Sequence, residues 1–338
     1  MNGRERILAM LGGQPVDHLP LMPITMMFAA DAAGIPYQRY ASNPDALVDA
    51  QIRTAERFGF DHVSAISDPA REVADLGGAI EWFPDQPPAI VESQAILASK
   101  ARLTTLCIPD LDQPGRMNDR IRAIRSLRAR AGEDLLVEGW VEGPCALGAD
   151  LRGLNTLMLD FTDDPDFVTD LFDFAVRLET EFARAQIEAG ADLIGIGDAA
   201  ASLIGPRRYE AHVLPWQQRL ISAIQSMGAK VRLHICGNTR KLLHAMGRTG
   251  ADLIDLDYFS PLREARAVMG PRQTLLGNLD PVRVLRDGSP ASITAALEQC
   301  WAEAQPCYIV GAGCEVPRGT PLDNLLALTR FAREHLPS

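Results

Sequence analysis

Short β-branched and apolar runs recur along the chain, and most give way to a longer stretch in which apolar positions return every three or four residues. The short runs predict strands: LMPITMM (21–27), HVSAIS (62–67), LLVEGW (135–140), DLIGIG (192–197), VRLHIC (231–236), LIDLD (253–257), TLLGN (274–278) and YIVGA (308–312). Between the fourth and fifth, Trp216, Leu220 and Ile224 stand four apart, predicting a helix over 208–227 that Gly228 stops. Further helices are predicted within RKLLHAMGRTG (240–250), over 262–269 and 290–304, and in LDNLLALTRFAREHL (322–336).

Eight strands alternating with helices predict an α/β fold, a closed (β/α)8 TIM barrel rather than an open doubly wound sheet. With no Gly/Ser/Pro linker and no strong repeat, residues 1–338 read as a single barrel domain. ERILAMLGG suggests that residues 1–20 form an N-terminal helical cap. The long interval between the second and third strands predicts an insertion, with a hairpin near GGAIEWFPD (77–85).

Composition narrows the classes. Hydrophobic residues make up 47% of the chain and charged ones 23%, the balance of a globule with a large core. The formal net charge of -11 argues against nucleic acid as a partner. The Arg-rich run 116–132 carries Ile121, Ile124 and Leu127 at helical spacing and reads as a solvated helix. No signal-like leader and no bilayer-length apolar run is present, so a cytoplasmic location and no membrane association are expected. Six cysteines in so long a chain do not form a disulfide framework. Gly195-x-Gly197 lacks the third glycine of a dinucleotide fingerprint, and no P-loop, HExxH or G-x-S-x-G motif occurs.

In such a barrel, function gathers at the carboxyl ends of the strands. Asp68, Glu138, Glu142, Asp198, His234, Cys236, Asp257, Asn278, Asp280 and Cys314 all fall there. His234 and Cys236, two apart on one strand, point to the same side. Cys314 follows the last strand in the glycine-rich GAGCEVPRGTP. One imidazole and two thiolates match a catalytic zinc site with a position left open. Such an ion would hold a substrate thiol or hydroxyl deprotonated. A lone cysteine more often packs as a small hydrophobe, and Cys107, Cys145, Cys300 and Cys307 are read that way. Asp68, Asp198 and Asp257 are candidate acids, bases or loop caps, with Asp257, Glu138 or water as a fourth oxygen ligand. Asn278 and Asp280 are candidates for contact with a cofactor. Met26, Met27, Phe28, Trp82 and Phe83 read as core or as the lining of an apolar cavity, and Arg71 as a surface residue or an anchor for a substrate anion.

The chain resembles the uroporphyrinogen decarboxylase superfamily over nearly its whole length. DHLPLMP, SDPAREVADLGGAIEWFPDQPP (67–88), VEGPCALGA (141–149), EAGADLIGIGDAAAS (188–202), LHICGNT (233–239), LLGNLDP (275–281) and GAGCEVPRGTPLDNLLAL (311–328) carry the likeness. Its zinc-dependent corrinoid methyltransferase branch uses a His-x-Cys pair and a distant Cys, which fall here on His234, Cys236 and Cys314. The resemblance implies methyl transfer between a corrinoid cobalt, carried by a separate corrinoid protein, and a thiol acceptor or a methylated or methoxylated donor. Asp68 matches the aspartate that faces the pyrrole nitrogens in the decarboxylase branch. The arginine-rich substrate motif of that branch is replaced by LMPITMMFAADAAG. A decarboxylase and a non-enzymatic corrinoid or tetrapyrrole binder are the alternatives.

Overall fold

The computed structural model describes residues 1–336. Among them nine strands form: β1 (His62–Ser64), β2 (Ile80–Phe83), β3 (Gln86–Ile90), β4 (Leu136–Glu142), β5 (Leu193–Gly197), β6 (Lys230–Ile235), β7 (Leu253–Leu256), β8 (Thr274–Leu276) and β9 (Tyr308–Ile309). β1 and β4 to β9 pair side by side in chain order, every pair parallel, with helices in the connections. β4 is buried along its whole length, as a parallel strand covered on both faces must be. β2 and β3 make a separate antiparallel hairpin in the expected insertion.

The closed eight-stranded barrel is not what forms. The sheet is a seven-stranded open half-barrel, and the strand expected at 21–27 shrinks to one parallel bridge between Leu21 and Val310. Pro20 and Pro23 flank that bridge and lack the N–H a ladder needs, and the run stays irregular until a helix, Met27–Ala33, begins at its last residue. The segment still touches both neighbours: Val310 N–H donates to the Pro20 carbonyl at 2.8 Å, and Asp61 N–H to the Leu21 carbonyl at 3.1 Å.

The expected N-terminal helix spans Gly3–Leu11, and Asn2 and Glu5 close a capping box at its start. Its buried Arg6 pairs with Asp17 and with Asp61, which also accepts the Leu21 N–H at 2.8 Å. One carboxylate thereby ties the helix and the Leu21 segment to the residue that precedes β1. The helix expected over 208–227 divides into Pro206–Arg208, a π-helical turn (Tyr209–Val213) and Leu214–Ser226, with Pro215 unable to donate into the turn before it.

Trp140 on β4 stands in register with Gly195 on β5. A Cβ at Gly195 would lie 2.2 Å from the indole, so this glycine makes room for the tryptophan. Gly195→Ala should cost about 1–3 kcal/mol through overpacking, read as a lowered urea midpoint. An unchanged midpoint would contradict the close approach.

Candidate metal centre and the cavity beside it

Along β6, Arg232 and His234 alternate onto one face, and Cys236 follows one residue past its end. The next strand sets Asp255 in register with His234. Asp255 Oδ2 accepts from His234 Nδ1 at 3.0 Å and from Arg232 Nη2 at 2.7 Å. Arg232, fully buried, also reaches Glu138 at 3.2 Å, and Glu138 lies 3.6 Å from His62. Burial alone would raise the Asp255 pKa, but Arg232 and His234 hold the carboxyl below its usual range.

With Nδ1 donating to Asp255, the Nε2 of His234 faces the sulfurs. It stands 3.0 Å from Cys236 Sγ, which is 3.8 Å from Cys314 Sγ. All three donor atoms lie within 4.8 Å of one another. Two sulfurs sharing a tetrahedral zinc at about 2.3 Å would be about 3.8 Å apart, so the sulfur pair fits that ion as it stands. Hydrogen bonding with Cys236, aided by His234, holds the Cys314 thiol well below its usual range. β6 and β9 are not neighbours in the sheet; the loop after β9 brings Cys314 inward to Cys236.

The three donors open on a cavity of about 210 Å³. Ile24, Met26, Ile66 and Trp140 form its apolar wall, while Asp68, Arg71, Glu142, Asp198 and Glu315 supply its polar groups. Burial pushes Glu142 up to about 8 and Asp198 up to about 7, so both carboxyls ionise closer to neutrality than an exposed one. Arg71 is buried, with one Nη on Glu72 at 3.1 Å and Glu142 at 2.9 Å, which excludes the surface reading. Gln217 donates to Asp198 at 2.7 Å and so does the Ala146 N–H.

Asp68 is also buried in the cavity wall. Burial would raise its pKa, but the bidentate guanidinium of Arg116, at 2.7 Å from each oxygen, outweighs this and keeps it ionised. Arg116 lies over the Trp82 ring of the hairpin, 4.8 Å from its centroid. Phe28 packs into the core instead of the cavity.

The remaining candidates brace loops. Asp257 accepts the N–H groups of Gly237 at 2.7 Å and Phe259 at 3.2 Å and is not one of the clustered donors. Glu138 is held by Arg232 and His62, outside that cluster as well. Asn278 donates to the carbonyls of Asp257 and Ser260, and Asp280 caps Val282 and Arg283. Sequence reasoning missed Asp255, Arg232 and Arg116. The period-two patterns Arg232-x-His234-x-Cys236 and Asp255-x-Asp257 carried the signal for the first two.

The uroporphyrinogen decarboxylase (URO-D) family description matches residues 2–335, and the chain belongs to that family. A methylcobamide:CoM methyltransferase of Methanosarcina mazei is 30% identical over 345 residues, covering 98% of each chain. A solved methyltransferase from Methanosarcina mazei covers 99% of this chain and 98% of its own, with 26% identity and a TM-score of 0.90. A uroporphyrinogen decarboxylase of Streptomyces avermitilis is 28% identical over 306 residues, covering 88% of this chain and 83% of its own. Within the family the chain sides with the methyltransferases, and it is an enzyme of that type.

Asp255→Asn keeps the shape but weakens the acceptor behind His234. Zinc affinity should fall about 10–100-fold, measured by competition with a chromophoric chelator; unaltered affinity would show that Asp255 does not orient the ligand. Arg116→Met leaves Asp68 buried without its partner and should destabilise the fold by about 3–5 kcal/mol, measured by denaturant unfolding.

Proposed function

We propose that this chain is a zinc-dependent methyltransferase that moves a methyl group between the cobalt of a corrinoid, presented by a separate protein, and a thiol or a methylated or methoxylated small substrate. The observation that carries this reading is the convergence of His234, Cys236 and Cys314 at the mouth of a small, mostly apolar cavity. Its support is the whole-length likeness to methyltransferases. The chain acts as one catalytic unit, in which the Leu21 segment bridges the two edges of the seven-stranded sheet at Asp61 and Val310.

Zinc held by the three donors would keep a substrate thiol as thiolate, or polarise a leaving heteroatom, at the open fourth position. The chain's own residues do the rest. Asp255 and Arg232 fix the His234 ring, so the imidazole presents one nitrogen in one orientation. The wall of Ile24, Met26, Ile66 and Trp140 excludes water from the sulfur side, which keeps a thiolate nucleophilic. Glu142 and Asp198 face the same cavity as carboxyl groups able to take or return a proton. Asp68, held ionised by Arg116, supplies a fixed negative charge in the wall. Asp257, Asn278 and Asp280 position the loops over which the corrinoid would approach.

The decarboxylase alternative has little to anchor a substrate bearing many carboxylates. Arg71 is the one guanidinium among the described residues lining the cavity, and it is already engaged by Glu72 and Glu142.

Purified protein should hold about one zinc per chain with two sulfur neighbours in X-ray absorption. Cys236→Ala should abolish both the metal and transfer from methylcobalamin to a thiol. Retention of both, or tetrapyrrole decarboxylation by metal-free protein, would reject the reading.

A further inference from the structure

Large apolar side chains stand in water on the two loops flanking the end of β6. Leu203, after β5, is 62% exposed, and Tyr258 and Phe259, after β7, are 38% and 50% exposed. The two rings lie against each other with centroids 4.1 Å apart. Tyr258 comes up to the loop of Cys314 because residue 313 is glycine: a Cβ there would sit 2.4 Å from the Tyr258 nitrogen. On the other side, Leu203 borders a second cavity of about 600 Å³ that shares Cys236 and Glu142 with the smaller one. The apolar lip therefore adjoins the metal ligands from two sides, and exposed apolar surface beside a site marks a contact.

The size of the inner cavity says what covers the lip. Its volume of about 210 Å³ is below the ~300–1,000 Å³ typical of pockets for drug-sized ligands. It admits a small methyl acceptor or donor, whereas a corrin macrocycle with its side chains must approach from outside. Charge points the same way. On a chain of net charge -11, the segments after β5, β6 and β8 carry the exposed cations Arg207, Lys241 and Arg283, none in an ion pair among the described residues, charges suited to an acidic surface. We propose that Leu203, Tyr258 and Phe259, with these cations, are the surface on which the polypeptide of an acidic corrinoid-carrying protein docks. This proposal rests on the methyl-transfer reading and adds where the partner binds.

The test is the double variant Leu203→Glu/Phe259→Glu, both positions exposed, with its unfolding midpoint checked against the parent. Binding of a purified corrinoid-carrying protein, charged with a methylated corrinoid, is measured by calorimetry at two salt concentrations. Methyl transfer is measured with that protein and, separately, with free methylcobalamin. The variant should bind the carrier about tenfold more weakly or worse and lose carrier-dependent rate in proportion, with the free-methylcobalamin rate unchanged; added salt should weaken parental binding. Unaltered carrier affinity, equal loss with both methyl donors, or a parental dimer that the variant splits would each overturn the proposal. A parent inactive with free methylcobalamin would count against the methyl-transfer reading, while the calorimetry would still decide the docking surface.

Discussion

The site depends on one buried carboxylate. Asp255 accepts hydrogen bonds from a guanidinium and an imidazole, both also out of water, and each of the three would be costly to bury without the others. Arg232 cannot leave, because Glu138 holds its other side at 3.2 Å. The His234 ring is consequently fixed by the strand interior, and the loops outside it need only bring two sulfurs to a nitrogen already in place.

Above that layer the polar groups part into two kinds. Asp68 meets a bidentate arginine and stays ionised, while burial raises Glu142 and Asp198 toward neutrality. Carboxyls lining one cavity thus differ in the pH at which they ionise because of their neighbours, and the same cavity offers both a fixed anion and groups able to exchange a proton. Trp140, one of the four side chains of the apolar wall, packs its indole over Gly195, and a side chain at 195 would displace it.

The insertion between β1 and β4 also serves the site. It supplies Arg116 to Asp68, stacks Trp82 against that arginine, and contributes Pro88 and Ile90 to the second cavity. An excursion that looked like decoration in the chain order thereby shapes two sides of the chemistry.

The sequence by itself determined the alternation of parallel strands with helices, the N-terminal helix, the hairpin and the three donor residues that the fold brings together. Period-two burial and a His-x-Cys pair on one strand face are local properties of the chain. It overstated the strand at 21–27, because apolar character there outweighed the missing N–H groups of Pro20 and Pro23. It also favoured Asp257 over Asp255, since strand-end position singles out the former while only the register of β6 against β7 reveals the latter. The distance from Cys314 to Cys236, the enclosure of Arg71 by two glutamates and the reach of Arg116 to Asp68 were decided by tertiary structure alone. Each joins residues far apart in the chain, and no local pattern encodes which of many buried charges will find one another.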